Sequence, residues 1–324
     1  MADHAFWLAE PGRGEIRPVD VPPPGPGEVL VRTRYSAVSR GTETLVFRGD
    51  VPESQHGIMR APFQDGDFPA PVKYGYLNVG VVEDGPAELR GRTVFCLYPH
   101  QTRYVVPATA VTVVPDTVPA ERAVLAGTVE TAVNAAWDAA PLVGDRIAVV
   151  GAGMVGASVA AVLAGMPAAR VQLVDVDPGR AALAAALGVE FATPDQARDG
   201  CDLVVHASAS EAGLARSLDL LAPEGVLVEL SWYGDRRVRV PLGEWFHSHR
   251  LTLRASQVGT VSPNQRGRRG YAERLAVAMD LLADDTFDAL VTGECRFTEL
   301  PDLLPRLNKI ELSALCVRVS YDST

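Results

Sequence analysis

The segment that most restricts the fold is Gly151-Ala152-Gly153-Met154-Val155-Gly156. It follows an apolar run, Arg146 to Val150, and opens a second one, Ala157 to Ala164. Placed between a strand and a helix, a GxGxxG turn is a dinucleotide-binding fingerprint rather than a chance spacing. Gly151 permits the tight turn, Gly153 lets backbone approach a pyrophosphate, and Gly156 allows helix and strand to pack closely. The helix N-terminus, with Met154 and Val155 in its first turn, offers free N–H groups to the anion. Nineteen positions after Gly156, the next apolar run ends in Asp175. A carboxylate there accepts hydrogen bonds from both hydroxyls of an adenosine ribose and repels a 2'-phosphate, so NAD(H) is expected over NADP(H). Arg180 is the nearby cation expected to flank the adenine.

Around this motif the sequence alternates strands and helices. Ile147–Val150, Val171–Val174, Val189–Ala192, Leu203–His206, Val226–Leu230 and Leu251–Ala255 are short Val/Leu-rich runs separated by helix-length segments. That pattern fits a doubly wound parallel sheet with both faces covered. Ahead of it, 120–139 reads as one helix closed by Pro141 and Gly144. The first third instead has β-rich runs punctuated by Pro and Gly: Glu28–Arg34, Asn78–Val82, Thr93–Leu97 and Val111–Val114. Phe47 to Pro71 lacks periodicity and is expected to be a substrate loop. Beyond Gln257 come a polar Gly/Arg-rich connection, a helix over 271–283 and an apolar run over 314–319. With 324 residues, the chain divides as 1–117 (β-rich), 118–260 (dinucleotide-binding) and 261–324 (a return to the first domain).

Charge narrows the partners. A net charge of -10 leaves no bulk attraction to phosphate backbones or anionic lipid, so neither nucleic acid nor a membrane surface is expected. The uncharged run 147–169 is long enough for a bilayer but is accounted for by the fingerprint. Met1-Ala2-Asp3-His4-Ala5 is acidic where a signal peptide is basic, and four dispersed cysteines, Cys96, Cys201, Cys295 and Cys316, form no CxxC pair. A cytoplasmic location is expected.

A β-rich N-terminal part, a dinucleotide-binding part and a C-terminal return resemble the medium-chain dehydrogenase/reductase superfamily, the zinc alcohol and sorbitol dehydrogenase group, over nearly the whole chain. The specific points are 36–43 (SAVSRGTE), 75–82 (GYLNVGVV) and the fingerprint. Gly41-Thr42-Glu43 with Leu45 and Gly49 is similar to bacteriochlorophyllide-dehydrogenase-like members. The resemblance implies an α/β Rossmann domain plus a GroES-like catalytic domain. It also implies that ligand positions for catalytic zinc fall at Ser39, at Tyr76-Leu77 and near Glu130. Zinc needs Cys, His or carboxylate donors, so a zinc-free member is expected. His247 and His249, at i and i+2, split across a helix and supply no substitute.

By the same resemblance, Ser39, Tyr76 and Glu130 face the nicotinamide: Tyr76 as proton donor or oxygen positioner, Ser39 as a hydrogen-bond partner, Glu130 as general base or anchor for a polar substrate. His100, followed by Gln101, Arg103 and Tyr104, reads polar groups of the substrate. Arg40 contributes a charge-assisted bond to the pyrophosphate. Ser208, Ser231, Trp232, Val258 and Gly259, at the ends of later strands, approach the ribose and nicotinamide. The leading expectation is zinc-independent, NAD(H)-dependent interconversion of a secondary alcohol and a ketone on a polar or ring-bearing small molecule, by a homodimer paired through Leu251–Ala255. Reduction of C=C bonds by a quinone or enoyl reductase is one alternative, and non-catalytic dinucleotide sensing is another.

Overall fold

The structure is a computed structural model that describes residues 2–309 and 314–321. The expected return over 261–324 includes 310–313 and 322–324, which lie outside the described residues. Two compact units divide the chain: Met1–Gly127 with Val291–Thr324, and Thr128–Leu290.

The first unit opens with a hairpin that the sequence pattern did not reveal, β1 (Asp3–Glu10) and β2 (Arg13–Val19). Next, β3 (Glu28–Ser39) continues past the expected Arg34, and its last four residues are all buried. Helix α1 (Arg40–Arg48) starts directly from Ser39 and ends at Gly49, whose φ of 75° is the left-handed cap glycine tolerates. The aperiodic stretch from Phe47 to Pro71 is mostly turns and bends, held by short ordered elements. It holds a 3₁₀ turn at Glu53–Gln55 and β4 (Asp65–Gly66), with Val51, Gln64 and Phe68 buried, and leads into β5 (Val72–Lys73). Its backbone polar groups find partners in β1 and in its own side chains, which is why aperiodic sequence still forms ordered structure.

Four more strands follow, β6 (Asn78–Asp84), β7 (Thr93–Cys96), β8 (Arg103–Pro107) and β9 (Val111–Val113), and a short helix, α2 (Ala120–Ala123). Strands β2-β1-β5-β4 make a small antiparallel sheet. The single helix expected over 120–139 is broken, because Leu125 N–H turns back to Arg122 O and buries Val124 and Leu125 completely. Helix α3 (Ala126–Ala139) then leads into the second unit.

That unit alternates β10 (Arg146–Val150), α4 (Met154–Ala164), β11 (Arg170–Val174), α5 (Ala181–Ala186), β12 (Glu190–Ala192), β13 (Cys201–His206), α6 (Glu211–Asp219) and β14 (Leu221–Glu229). Helix α7 (Trp245–Ser248), strand β15 (Thr252–Ala255) and helix α8 (Tyr271–Leu281) complete it. The six strands are parallel in the order β12-β11-β10-β13-β14-β15, so the order reverses between β10 and β13. Crevices at such a reversal are where doubly wound sheets bind ligands. The uncharged run 147–169 is divided between β10 and α4, and among the described residues no helix is long and apolar enough to cross a membrane.

This unit extends to Leu290 rather than ending at residue 260, and it begins at Thr128 rather than 118. Its extension has a packing cause. Arg274 in α8 is bonded to Glu130 and Asn134 in α3, and the 3₁₀ segment Asp285–Leu290 packs on α4 and α5. Finally β16 (Val291–Arg296), α9 (Leu300–Asn308) and β17 (Cys316–Ser320) rejoin the first unit. There β17 lies antiparallel to β3, with Cys316 opposite Ser39, in the larger sheet β16-β17-β3-β6-β7-β9, and β8 also pairs with β3.

Candidate functional site

In the second unit, β10 delivers the chain into Gly151 at a φ of 107°, a conformation that L side chains rarely adopt. A Cβ at Gly151 would lie 2.7 Å from Ser208 N, and one at Gly156 would collide with the Gly151 carbonyl oxygen. Gly153, the N-cap of α4, faces open space. No side chain caps α4, so its first-turn N–H groups, at Met154, Val155 and Gly156, are available to an anion. At the end of β11, Asp175 Oδ2 accepts Ala152 N–H at 2.6 Å and Oδ1 accepts Asp177 N–H at 2.9 Å, which fixes the carboxylate against the glycine loop. Arg180 lies 3.5 Å from Asp177 in the 3₁₀ turn that follows.

Across the reversal, β13 and β14 end in a polar cluster. His206 and Glu229 are register partners, and His206 Nδ1 lies 2.7 Å from Glu229 Oε2. Tyr233 O–H donates to the same oxygen at 3.1 Å, and Ser231 N–H donates to Oε1 at 2.7 Å. Burial pushes the Glu229 carboxyl up, but the His206 hydrogen bond and charge, with the Ser231 contacts, outweigh it and hold the group below its ordinary value. Tyr233 is pushed above the ordinary phenol range by burial and by Glu229. On its other side, His206 Nε2 meets Ser208 Oγ at 2.6 Å, and Ser231 Oγ accepts Ala209 N–H at 3.0 Å. Trp232 beside them is half-buried.

Further along, Val258 O accepts Arg274 Nη2 at 2.7 Å and Gly259 O accepts Tyr271 O–H at 2.9 Å, so these residues are bound to α8. The Arg274 guanidinium, 2% exposed, also reaches Glu130 Oε1 at 3.0 Å and Asn134 Oδ1 at 2.7 Å. Glu130, expected as a base or substrate anchor, is therefore a buried ion-pair partner. Burial raises its carboxyl pKa against the opposing Arg274 charge. His247 lies within the short α7 and His249 at its C-terminal end, where the His249 ring packs 4.6 Å from Trp245.

The first unit contains its own chain of ionisable groups. His100, 1% exposed, has Nε2 at 2.9 Å from Glu43 Oε2 and Nδ1 at 2.7 Å from Ser36 Oγ, which meets Tyr321 OH at 2.9 Å. Glu43 Oε1 accepts Ser39 N–H at 2.7 Å, so Ser39 is held at the start of α1. Tyr76 hydrogen-bonds Ser39 and Thr42, and its phenol is pushed up to about 12 by burial and by the Glu43 carboxylate. Ser39, Tyr76 and His100 are thus tied to one carboxylate, while Glu130 belongs to the other unit. Arg40 reaches Ala314 O at 3.4 Å within the first unit. Gln101 receives Lys73 Nζ at 2.9 Å, Tyr104 O–H donates to Asn78, and Arg103 pairs with Glu83 at 2.9 Å. These three are bound to neighbours on the sheet. Among the described residues no group of three or more His, Cys, Asp or Glu side chains gathers at metal-binding distance.

Sequence reasoning missed Glu43, Ser36, Tyr321, His206, Glu229 and Arg274. One signal was present: β13 and β14 each end an apolar run in an ionisable residue, and parallel pairing brings such ends together. The Arg274 partnership joins residues too distant in sequence for any local pattern to show.

No protein-family model and no curated protein sequence matches the chain. Its structure is similar to (2R,3R)-butanediol dehydrogenase from Bacillus subtilis, with a TM-score of 0.79 and 16% identity over 99% of this chain and 100% of that one. It is similar to L-idonate 5-dehydrogenase from Escherichia coli (TM-score 0.81, 15% identity, 99% of each chain). It is also similar to acetophenone reductase from Geotrichum candidum, solved with NAD (0.78, 18%, 99% of this chain and 97% of that one). At these identities the likeness establishes the fold alone, an α/β unit with a doubly wound parallel sheet joined to a sheet-rich unit.

Proposed function

We propose that this chain, which has the fold of the medium-chain dehydrogenases, is an NAD(H)-dependent oxidoreductase that interconverts an alcohol and a carbonyl compound. The observation that carries the reading is the crevice at the reversal of the parallel sheet: an uncapped helix N-terminus, a glycine turn packed against Ser208, and Asp175 fixed beside it. These residues fit a dinucleotide. The helix end and Gly153 suit a pyrophosphate, and Asp175 suits an unphosphorylated ribose. When bound, the nicotinamide gives hydride to a carbonyl carbon or takes it from an alcohol.

Proton handling falls to side chains. Tyr76 stays protonated at neutral pH, so it donates a hydrogen bond to a carbonyl oxygen and a proton to a developing alkoxide. Ser39 and Thr42 hold that phenol in place. Burial first, and the Glu43 carboxylate second, keep the proton on Tyr76. The positions that the resemblance aligns with zinc ligands present a serine, a protonated phenol, a fully buried leucine and a carboxylate committed to Arg274. That donor set does not fit zinc. A polar or ring-bearing secondary alcohol, a homodimer and a cytoplasmic setting remain part of the proposal.

The deciding experiment is fluorescence titration of the purified chain with NADH and NADPH, followed by a screen of ketones with the tighter coenzyme. Saturable NADH binding, tighter than NADPH, with NADH oxidation by at least one ketone supports the reading. Tighter NADPH binding, or turnover of enones alone, overturns it.

A further inference from the structure

The polar cluster where β13 and β14 end has the connectivity of a nucleophile, a base and a group that orients the base. A carboxylate only accepts, so the proton shared by Glu229 Oε2 and His206 Nδ1, 2.7 Å apart, resides on the histidine. In the neutral ring Nε2 is then the acceptor, and it takes the proton of Ser208 Oγ at 2.6 Å. Ser210 Oγ accepts Gly213 N–H at 3.0 Å and lies 2.9 Å from Ser208 Oγ, so its own proton is directed at Ser208. With the His206 ring neutral, the Glu229, Ser208 and Ser210 hydrogen bonds polarise the Ser208 hydroxyl toward Nε2. We propose that Ser208, His206 and Glu229 form an acyl-transfer site, with Ser208 as nucleophile toward activated acyl esters.

Position supports this reading. Ser208 sits in the turn between a parallel strand and a helix, flanked by the small residues Ala207 and Ala209, and Ala209 is held at a φ of 51°. Such a strand-turn-helix corner presents a nucleophile at the top of a sheet. The turn closes onto the start of α6 only because residue 213 lacks a side chain: a Cβ there would collide with Ser208 Oγ and lie 3.0 Å from His206 Nε2. His206 is 0% exposed while Ser208 is half-buried, so the base is shielded and the hydroxyl is reachable. The first unit supplies an internal contrast. Ser36, His100 and Glu43 have the same connectivity, but Ser36 is 0% exposed and closed to any reagent.

The chemistry balances without an added cofactor. Ser208 Oγ bonds to the acyl carbon as its proton passes to His206 Nε2. The bond from that carbon to the leaving oxygen then breaks, and His206 returns the proton to the departing alcoholate. Water attacks the acyl-serine by the same route, releasing a carboxylic acid and restoring the hydroxyl.

The test uses the full chain, a fluorophosphonate probe and p-nitrophenyl acetate, with adducts located by peptide mass spectrometry. The expected result is one adduct per chain on Ser208, none on Ser36, and none at that peptide in Ser208→Ala. Glu229→Gln, which keeps the size and hydrogen-bonding shape of the side chain, should slow labelling and ester hydrolysis by about a hundredfold. Circular dichroism of each variant verifies that it is folded. Absence of a Ser208 adduct in the folded wild-type chain, or labelling that Glu229→Gln leaves at the wild-type rate, overturns the proposal. A parallel labelling with NADH present should protect Ser208, which lies against Gly151. That arm alone rests on the coenzyme reading, so its failure is distinguishable from failure of the nucleophile.

Discussion

At the scale of single residues, side chains here act through what they are bound to. Asp175 directly follows β11 at the spacing that suggested a ribose partner, and both its oxygens accept backbone N–H groups of two loops. Asp175→Ala should weaken NADH binding by about tenfold to a hundredfold while changing NADPH binding far less, because bonds to a charged acceptor are lost only where a free ribose was held. Paired fluorescence titrations measure this. Gly156→Ala places a methyl on the Gly151 carbonyl oxygen, and an expected cost of about 1–3 kcal/mol should appear in urea unfolding together with lost NADH binding. Glu229 gives a pH signature. Its folded pKa lies below the ordinary 4.5, so its contribution to stability is present above pH 4.5 and is lost as pH falls through the folded value. Melting temperatures between pH 3 and 6 should therefore fall more steeply for the wild type than for Glu229→Gln, and parallel curves would contradict the assignment.

At the scale of elements, the parallel strands were readable because strands buried on both faces demand continuous apolar runs. The hairpin of β1 and β2 was not, since its outer strand is partly exposed along its whole length and mixes Arg, Glu and Pro with a few apolar residues. The break between α2 and α3 was invisible for a related reason: an Ala-rich run satisfies helix propensity throughout, and only packing chooses where it turns. Helices α3 and α8 are clamped by Arg274 and Glu130, a pair with no signal in either helix alone. Arg274→Met should destabilise the chain by about 3–5 kcal/mol by leaving Glu130 buried without its partner. The double variant Arg274→Met with Glu130→Leu should recover most of that loss. Denaturant melts of both variants settle the matter, and equal destabilisation would deny the clamp.

At the scale of the whole molecule, hydrogen exchange followed by mass spectrometry should show NADH protection concentrated at 151–156 and around Asp175, because the proposed coenzyme crevice is built from the strand ends of Thr128–Leu290. Protection spread evenly over the chain would contradict a single crevice. The sequence by itself determined the doubly wound sheet, the glycine turn, the carboxylate after β11 and the β-rich character of the first part. These follow from local periodicity and from steric demands on one short turn, which neighbours in sequence suffice to express. Only the tertiary structure decided the rest: that Glu130 is neutralised by Arg274, that Ser39, Tyr76 and His100 converge on Glu43, and that His206 meets Glu229 and Ser208. Each depends on which distant segments come within hydrogen-bond reach, and a buried charge takes its role from the partner that compensates it.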